Sequence, residues 1–256
     1  MIDSRAIIDP KATLAAGVSV GPFSIIGPDV EIGANTWIGP HVVINGPTRI
    51  GADNKIYQFA SIGDAPQDKK YAGEPTRLEI GDRNTIREYC TINRGTVQGG
   101  GVTRVGDDNW IMAYVHIAHD CRIGSQAILA NCASLAGHVT VGDYAILGGF
   151  TIVHQFCAIG AHCFCGMGSV ISMDVPPFVM VSGHPAEPHG INSEGLKRRG
   201  FGNTALRTLR EAYKTIYKAN LTLAQAIEQL KKLQKECAEV GVLVTFLEKA
   251  TRGIVR

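Results

Sequence analysis

An aliphatic residue recurs every six positions along most of the chain, and glycine follows many of these residues. The rhythm runs unbroken from Ile2 to Ile62, returns from Ile80 to Ile92, and continues in shifted phase from Val105 to Ile171. A period of six fits neither the 3.6-residue period of a helix nor the two-residue period of a strand. It fits a short strand plus a turn, with three such units closing a coil of about eighteen residues. The pattern therefore predicts an all-β parallel β-helix of triangular section, with the aliphatic side chains pointing inward.

The position two residues before each aliphatic residue is usually small or β-branched, which suits a tightly packed interior. Cysteine occupies that position four times, and free cysteine packs as a small hydrophobic residue. We therefore expect Cys90, Cys121, Cys157 and Cys163 to lie in the core. The glycines are expected to supply the backbone freedom that tight corners require.

The rhythm is interrupted twice, at residues 64–79 and 93–104. Insertions in a solenoid leave it as loops on one side, which is often the binding side. Both segments are therefore predicted to be loops beside a functional site.

From about residue 190 the hydrophobic spacing becomes helical, and Thr222 opens one of two amphipathic segments as a capping residue. The predicted organisation is a β-helix domain at 1–189, which carries both insertions, and a helical domain at 190–256 that closes its end. Exposed β-helix faces favour self-association. Three prisms around one axis, a homotrimer, is the expected assembly.

Bulk composition narrows the class of protein. The 256 residues are 45% apolar, which is enough for a large core, and a formal net charge of +2 gives no reason to expect a nucleic-acid partner. No run of eighteen apolar residues and no leader segment occurs, so no membrane insertion is expected. The seven cysteines are odd in number and form no CxxC pair. This favours reduced thiols and a cytoplasmic location.

One polar motif stands out against the regular coils, the sequence "HIAHD" at 116–120. On an eighteen-residue coil, His119 lies below Gly137 and Asp120 lies below His138. An adjacent carboxylate orients and polarises an imidazole as a general base, and a glycine N–H on the next coil completes an oxyanion site. No serine or cysteine nucleophile stands at matching spacing. Direct attack by a substrate hydroxyl or amine is therefore predicted, without a covalent enzyme intermediate.

Several motifs together resemble one family of acyltransferases. The hexads, with "HIAHDC", "VHQFC", "QDKKYAGEPT", "NRGTVQGG" and "GINSEGLKRRGF", resemble UDP-N-acetylglucosamine acyltransferase over essentially the whole chain. The resemblance implies a left-handed β-helix homotrimer that transfers an (R)-3-hydroxyacyl group from acyl carrier protein to the 3-hydroxyl of UDP-N-acetylglucosamine. That reaction is the first step of lipid A biosynthesis. The resemblance implies no metal and no dissociable cofactor.

The resemblance also implies a role for individual residues. His119 would be the general base for the sugar 3-hydroxyl, Asp120 would hold its tautomer, and the Gly137 N–H would stabilise the oxyanion. The implied substrate-binding residues are Asp68, Lys70, His116, His138, His154 and Gln155 around the sugar and the acyl group, and Asn192, Glu194, Arg198 and Arg199 around the nucleotide.

Two positions depart from what the resemblance leads one to expect. Asn93, in "NRGT", replaces a histidine that many members have close to the sugar, which leaves an amino-sugar acceptor open. Met167, in "GMGS", stands where some members have glycine at the floor of the acyl groove. A bulky side chain there excludes long chains sterically, so we expect a preference near ten carbons instead of fourteen.

A basic stripe in the helical region suggests a protein partner. Arg207, Arg210, Lys214 and Lys218 recur at spacings of three and four, which places them on one face of a helix. Either this is an ordinary solvated face, or it is a docking surface for the acidic acyl carrier protein.

Three alternative functions stay open at this point. A metal-dependent hydratase of the same fold would take zinc on histidines from neighbouring subunits. A non-catalytic β-helix would bind a sugar nucleotide or a partner without turnover. A related acyltransferase would act on an amino-sugar nucleotide, by N-acylation.

Overall fold

The computed structural model describes all 256 residues, which form three β-sheets followed by four helices. Most strands contain two or three residues, because each hexad supplies one extended segment before the chain turns. In chain order the strands are β1 (Ile7–Ile8), β2 (Thr13–Leu14), β3 (Ser19–Val20), β4 (Ile25–Ile26), β5 (Val30–Ile32), β6 (Trp37–Ile38), β7 (Val43–Ile44), β8 (Thr48–Ile50), β9 (Lys55–Ile56), β10 (Ser61–Asp64), β11 (Arg77–Ile80), β12 (Thr85–Ile86), β13 (Thr91–Asn93), β14 (Val102–Val105), β15 (Trp110–Ile111), β16 (His116–Ile117), β17 (Arg122–Ile123), β18 (Ile128–Leu129), β19 (Ser134–Leu135), β20 (Thr140–Val141), β21 (Ile146–Leu147), β22 (Ile152–Val153), β23 (Ala158–Ile159), β24 (Phe164–Cys165), β25 (Val170–Ile171), β26 (Val179–Ser182) and β27 (Glu187–Ile191).

Every third strand joins the same sheet, so the three sheets are the faces of a triangular prism. Sheet I begins with β1 and β4, sheet II with β2 and β5, and sheet III with β3 and β6. The strands within a sheet are parallel and mostly pair residues eighteen apart, as Ile8 does with Ile26 and Val141 with Ile159. The exception is β27, which pairs antiparallel with β26 at the C-terminal end. We name the edges corner I–II, corner II–III and corner III–I.

The prism is a left-handed β-helix, as predicted. Parallel crossovers are otherwise right-handed in almost all proteins, because strand twist favours that hand. Strands of two or three residues accumulate little twist, so this preference is weak here.

The interior is a single stack of the aliphatic residues that carry the sequence rhythm. Ile38, Ile44, Ile56, Ile86 and Ile117 are all fully buried in one continuous hydrophobic core. Burial of apolar area on this scale is the main stabilising contribution to the fold. The four cysteines predicted to pack in the core are also fully buried: Cys90, Cys121, Cys157 and Cys163.

The corners correct one prediction, the role of the glycines. The left-handed backbone conformation is adopted mainly by non-glycine corner residues, such as Phe59 with φ of 64° and Asp120 with φ of 61°. The glycines after the inward residues are needed for a different reason, the close approach of the next coil. A β-carbon on Gly106, for example, would lie 2.7 Å from the carbonyl oxygen of Gly124.

Both insertions interrupt corner I–II. Ser61 on β10 pairs with Thr91 on β13 although thirty residues separate them, and Thr91 pairs with His116 across twenty-five residues. The extra residues leave the prism as loops, and the flanking strands keep their register except for an irregularity between Ile62 and Asp64. The second loop contains a short 3₁₀ turn at Val97–Gly99.

The helices are α1 (Ser193–Arg198), α2 (Asn203–Tyr217), α3 (Leu223–Leu233) and α4 (Glu239–Lys249). Thr222 caps α3 in a reciprocal capping box with Gln225. A second hydrophobic core joins the helices to Phe178 and Ile191 of the last coil. None of the helices combines the length and the apolar character required to cross a bilayer.

Candidate active site

The two insertions enclose a cavity of about 700 Å³ at corner I–II, which we name the corner cavity. Grooves of similar volume lie along sheet II and beneath α4, but neither is lined by a histidine. The corner cavity is lined by Gln67, Asp68, Lys69, Lys70, Thr96, Gln98, His119, His138, Gln155 and Phe156.

His119 and Asp120 form a hydrogen-bonded pair at the wall of the corner cavity. Nδ1 of His119 lies 2.7 Å from Oδ2 of Asp120, which is only 5% exposed. An ionised carboxylate only accepts hydrogen bonds, so Nδ1 carries a proton, and in the neutral ring the lone pair is on Nε2. Burial raises the pKa of Asp120, but hydrogen bonds from His119 and Thr96 outweigh burial and hold that pKa below its usual value. Asp120 is therefore an anion that fixes the tautomer a general base requires.

Gly137 lies against His119 from the next coil. The N–H of His138 donates to the carbonyl oxygen of His119 at 3.0 Å and aligns the two turns. A β-carbon added to Gly137 would lie 2.6 Å from Cε1 and 2.8 Å from Nε2 of His119, so only glycine leaves room for the ring. The Gly137 N–H donates to no acceptor in the protein. It is available to an oxyanion formed beside His119.

Two further histidines flank the pair. His138 stacks on Phe156 at 4.4 Å between ring centroids, and its Nε2 lies 3.7 Å from Oδ2 of Asp120. His116 lies on the outer side of sheet I, where its Nδ1 is 2.7 Å from the hydroxyl of Thr91. Burial lowers the pKa of both imidazoles, so both are neutral near pH 7. His138 lines the corner cavity, whereas His116 stands outside it.

Asp68 and Lys70 reach the corner cavity from the first insertion. The N–H of Lys70 donates to Oδ1 of Asp68 at 3.0 Å, which holds the turn that presents both side chains. They form no ion pair with each other or with another residue. Oδ2 of Asp68 and the ammonium group of Lys70 are therefore available to a ligand.

Arg94 ties the two insertions together, a role that nothing in the sequence indicated beyond its place in "NRGT". Its guanidinium donates to the hydroxyl of Tyr71 in the first insertion and to the carbonyl oxygens of Gly46 and Gly63. The neighbouring Asn93 donates to the carbonyl oxygen of Ala65 at 3.0 Å. Asn93 is buried and does not line the corner cavity, so its departure from histidine gives no support to an amino-sugar acceptor.

The two residues after β22 point in different directions. Gln155 lines the corner cavity, whereas His154 is exposed and does not line it. Nη2 of Arg252 lies 3.4 Å from Nδ1 of His154. Arg252 belongs to the C-terminal tail, which the backbone of Asp174 holds against the last coil. The sequence could not show that Arg252 lies near His154, because ninety-eight residues separate the two.

The predicted nucleotide segment lies at another edge of the prism. Asn192 caps α1 and donates to the carbonyl oxygen of His162 at corner II–III. The guanidinium of Arg199 lies 4.6 Å above the ring of Tyr144 at the same corner, with a buried Nη1 that has no acceptor. Arg198 is exposed, and Glu194 pairs with Lys197 at 2.8 Å. Within one chain these residues do not join the corner cavity.

Met167 lies at the third edge, corner III–I, where its side chain is 79% exposed. The outer side of sheet I separates it from His119. Within one chain it lies outside the corner cavity, so a groove over sheet I needs a second wall.

His119, Asp120 and His138 are also the residues that come closest to a metal site, because their ligand atoms all lie within 4.8 Å of one another. Their hydrogen bonds fit a different use. Asp120 accepts one bond from His119 and two from Thr96, and a metal ion would have to displace some of these donors. The arrangement is that of an imidazole held by a carboxylate.

Known proteins resemble this chain over its full length. A relative from Thiobacillus denitrificans, named acyl-[acyl-carrier-protein]–UDP-N-acetylglucosamine O-acyltransferase, is 65% identical over 100% of this chain and 99% of its own. The chain belongs to the UDP-N-acetylglucosamine O-acyltransferase family. The protein of the same name from Pseudomonas aeruginosa is 59% identical, again over 100% of this chain and 99% of its own.

Family models and solved structures of the UDP-N-acetylglucosamine O-acyltransferases agree. Residues 174–255 match the model described as UDP-N-acetylglucosamine O-acyltransferase, domain 2, and residues 29–64 and 103–137 match the bacterial transferase hexapeptide repeat. LpxA of Acinetobacter baumannii superposes with a TM-score of 0.98 at 50% identity, covering 100% of this chain and 99% of that one. The enzyme of Moraxella catarrhalis gives 0.99 at 46% identity, with the same coverage. The resemblance inferred from the sequence, the O-acyltransferase class and the fold are confirmed.

Proposed function

We propose that this enzyme transfers an (R)-3-hydroxyacyl group from acyl carrier protein to the 3-hydroxyl of UDP-N-acetylglucosamine, with His119 as the general base. One observation carries the proposal: Nε2 of His119, on the side of the ring away from Asp120, lies beside Gly137, whose N–H has no acceptor. A base and an oxyanion donor thus share one small volume. The names of the relatives support the two substrates.

The reaction follows from that geometry. Nε2 of His119 removes the proton of the sugar 3-hydroxyl as its oxygen attacks the thioester carbon. The Gly137 N–H donates to the oxyanion of the tetrahedral intermediate, and the anion of Asp120 stabilises the imidazolium. Collapse of the intermediate breaks the carbon–sulfur bond, and the imidazolium returns its proton to the departing thiolate. The ester leaves with the base ready for another turnover.

A covalent acyl-enzyme is not needed. No cysteine or serine lines the corner cavity. The thiol of Cys121, which follows the catalytic pair, is buried and donates to the carbonyl oxygen of Ala136. Burial raises the pKa of that thiol to about 12, so it does not ionise near pH 7.

The outer faces support a homotrimer. Sheet III exposes Trp37 and Trp110 and sheet I exposes Ile25 and Ile152, whereas sheet II carries charged residues such as Arg122. Exposed apolar faces mark association surfaces. If sheet I of one subunit packs on sheet III of the next, corner III–I lies at the axis.

This packing also completes the site. The outer edges that meet are corner I–II of one subunit, with the corner cavity, and corner II–III of its neighbour, with the nucleotide segment. Asn192, Glu194, Arg198 and Arg199 of one chain would then bind the nucleotide whose sugar lies beside His119 of another. The buried, unpaired Nη1 of Arg199 is a suitable donor for a phosphate oxygen.

The trimer is tested by charge substitution on two faces. Trp110→Glu places a charge on sheet III and is expected to give monomers that lack activity. Arg122→Glu, the matched change on sheet II, is expected to stay trimeric and active. Sedimentation velocity separates the two outcomes, and a trimeric, active Trp110→Glu protein would contradict the packing.

The acyl chain would run from His119 over the outer side of sheet I, past Ile152, toward Met167. Ile152 is 53% exposed within one chain and provides an apolar floor for this path. Met167 would close its far end and favour chains near ten carbons. A Met167→Gly variant is expected to gain activity with fourteen-carbon donors, and an unchanged preference would refute this role of Met167.

The basic stripe on α2 would bind the acidic acyl carrier protein. Arg207, Arg210, Lys214 and Lys218 are all exposed. Lys214→Glu is expected to raise KM for the acyl carrier protein roughly tenfold at low salt and less at high salt. An unaffected KM would leave the stripe an ordinary solvated face.

The experiment that tests the proposed function is a competition assay. Wild-type protein receives UDP-N-acetylglucosamine with 3-hydroxyacyl carrier proteins of ten, twelve and fourteen carbons, and mass spectrometry identifies the product. His119→Ala is expected to lose about a thousandfold in kcat. His41→Ala, which removes a histidine from corner III–I, is the control and is expected to retain activity. Comparable turnover of His119→Ala and wild type would exclude His119 as the base.

A further inference from the structure

Asp120 is held from the second insertion as well as from His119. The backbone N–H of Thr96 donates to Oδ1 of Asp120 at 2.8 Å, and the Thr96 hydroxyl donates to Oδ2 at 2.7 Å. Both residues are buried, at 2% and 5% exposure. One residue therefore bonds both oxygens of the carboxylate that orients the proposed base.

The conformation of the second insertion positions Thr96 for these bonds to Asp120. Thr96 caps the 3₁₀ turn at Val97–Gly99, with its hydroxyl also accepting from the Gly99 N–H at 3.2 Å. The α-carbon of Gly99 packs on the carboxylate of Asp120, where an added β-carbon would overlap it. From the other side, the Asp120 N–H donates to the hydroxyl of Thr103 at 2.7 Å. The turn therefore contacts both oxygens of the carboxylate, while the backbone of Asp120 is held by Thr103.

The carboxylate of Asp120 needs this restraint because a second histidine, His138, lies close enough to compete with His119 for it. His138 offers Nε2 only 3.7 Å from Oδ2 of Asp120. A single bond from His119 leaves the carboxylate plane free to rotate, whereas donors on both oxygens fix that plane. In this fixed orientation, Oδ2 faces Nδ1 of His119. The imidazole of His138 then stays available to bind the substrate.

We propose that Thr96 is a positioning residue of the acyl transfer, which acts through Asp120 to keep His119 in its reactive tautomer and orientation. This inference rests on the proposed role of His119. It gives the second insertion a part in the chemistry in addition to enclosing the cavity.

The test compares three threonine variants. Thr96→Val keeps the shape and the backbone donor but removes the hydroxyl, and Thr96→Ser keeps the hydroxyl. The control is Thr36→Val, which removes a buried threonine hydroxyl far from the site. There, Thr36 donates to the carbonyl oxygen of Gly51. Thr96→Val is expected to lose roughly tenfold in kcat with KM within about twofold. Thr96→Ser and Thr36→Val are expected to match wild type.

The pH profile of kcat/KM supplies a readout that a merely structural role would leave unchanged. Without the Thr96 hydroxyl, the Asp120 carboxylate accepts one hydrogen bond fewer, so its negative charge stabilises the imidazolium of His119 more strongly. The acidic limb of the profile for Thr96→Val is therefore expected to move to higher pH, while that of Thr36→Val stays in place.

A double-mutant cycle identifies the path of the effect. In an Asp120→Asn background, Thr96→Val is expected to cause no further loss, because the residue it acts through is already changed. Equal losses in both backgrounds, or wild-type kcat and pH profile for Thr96→Val, would overturn the proposal. If Thr96→Val does not assemble, Gly99→Ala disturbs the same contact and is expected to lower kcat similarly, and normal turnover of that variant would also overturn it. An active His119→Ala protein would instead refute the proposed function itself.

Discussion

Corner III–I and corner I–II are built from the same turn, yet only corner I–II holds the proposed acid–base pair. At corner III–I, Phe59, Tyr89 and Tyr114 have φ between 58° and 64° and stack at centroid distances of 4.7 to 4.9 Å. At corner I–II the same conformation holds Asp120 and His138, with φ of 61° and 63°. The backbone supplies a stacking position on each coil. The side chain placed there decides between a structural column and an acid–base site.

The shared turn also explains the free N–H that we propose as the oxyanion donor. Gly137 precedes His138 as Gly149 precedes Phe150, and neither glycine N–H has an acceptor in the protein. A free N–H is therefore a property of the turn and not of the site. Corner I–II is distinguished by an imidazole beside that N–H and by the two loops that shelter it.

The difference between the two corners is tested most strongly by adding one methyl group at the equivalent glycine of each corner. Gly137→Ala is expected to lower kcat roughly a hundredfold, because its β-carbon would lie 2.6 Å from the His119 ring and displace it. Gly149→Ala meets only a carbonyl oxygen at 3.3 Å and is expected to keep near-normal turnover. Steady-state kinetics on both proteins decide the point, and equal losses would mean that the two corners do not differ in function.

Arg94 tests whether the loops at corner I–II act as one unit. Arg94→Met removes the donors that link Tyr71 to Gly63, so Asp68 and Lys70 lose their fixed position and kcat/KM is expected to fall roughly tenfold. Arg104→Met, which removes an exposed arginine from sheet II, is the control and is expected to stay within about twofold. Unaltered kinetics of Arg94→Met would show that the loops hold their places independently.

His138→Phe makes the column at corner I–II resemble that at corner III–I. Phenylalanine can keep the stacking on Phe156 but cannot bond a substrate, so KM for the sugar nucleotide is expected to rise roughly fivefold, the equivalent of a net hydrogen bond of about 1 kcal/mol. The variant is expected to unfold at the same temperature as wild type. An unchanged KM would leave His138 a stacking residue only.

The smallest expected effect concerns corner II–III, where His162 stacks between Tyr144 and Phe178. Burial, assisted by the charge of Arg199, lowers the pKa of His162 from 6.5 to about 4. A histidine whose pKa is lowered by folding contributes stability above its unfolded pKa, and this is lost as pH falls from 6.5 toward 4. Urea unfolding at pH 7 and pH 5 should therefore show a smaller decrease for His162→Phe than for wild type. Equal decreases would place the pH dependence in other groups.

The regular part of the molecule was predictable because one period governs it. Spacing by eighteen placed His119 against Gly137 and Asp120 against His138, since coils stack in register. The role of the glycines was predicted wrongly, because contact between coils cannot be seen in a single hexad. Thr96 and Arg94 were missed because the insertions have no period. Arg252 was missed for a different reason, since it reaches His154 from the far end of the chain.

The predicted nucleotide segment could not be connected to His119 from spacing along one chain. The motif led to Arg199 and Asn192 as nucleotide-binding residues, but the fold places them at a different corner from His119. Their proposed use requires the geometry of an assembly, which spacing along one chain does not contain.

Because strands pair in an eighteen-residue register, the rod formed by the β-helix can change its length only by whole coils. Losing six residues would turn every later strand onto the wrong face, whereas losing a whole coil would shorten the rod by one strand spacing of about 4.8 Å and leave every later side chain on its own face. Coils before Gly46 contribute no side chain to the corner cavity and no acceptor to Arg94. Rod length and catalysis can therefore change separately during evolution, provided that length changes one coil at a time.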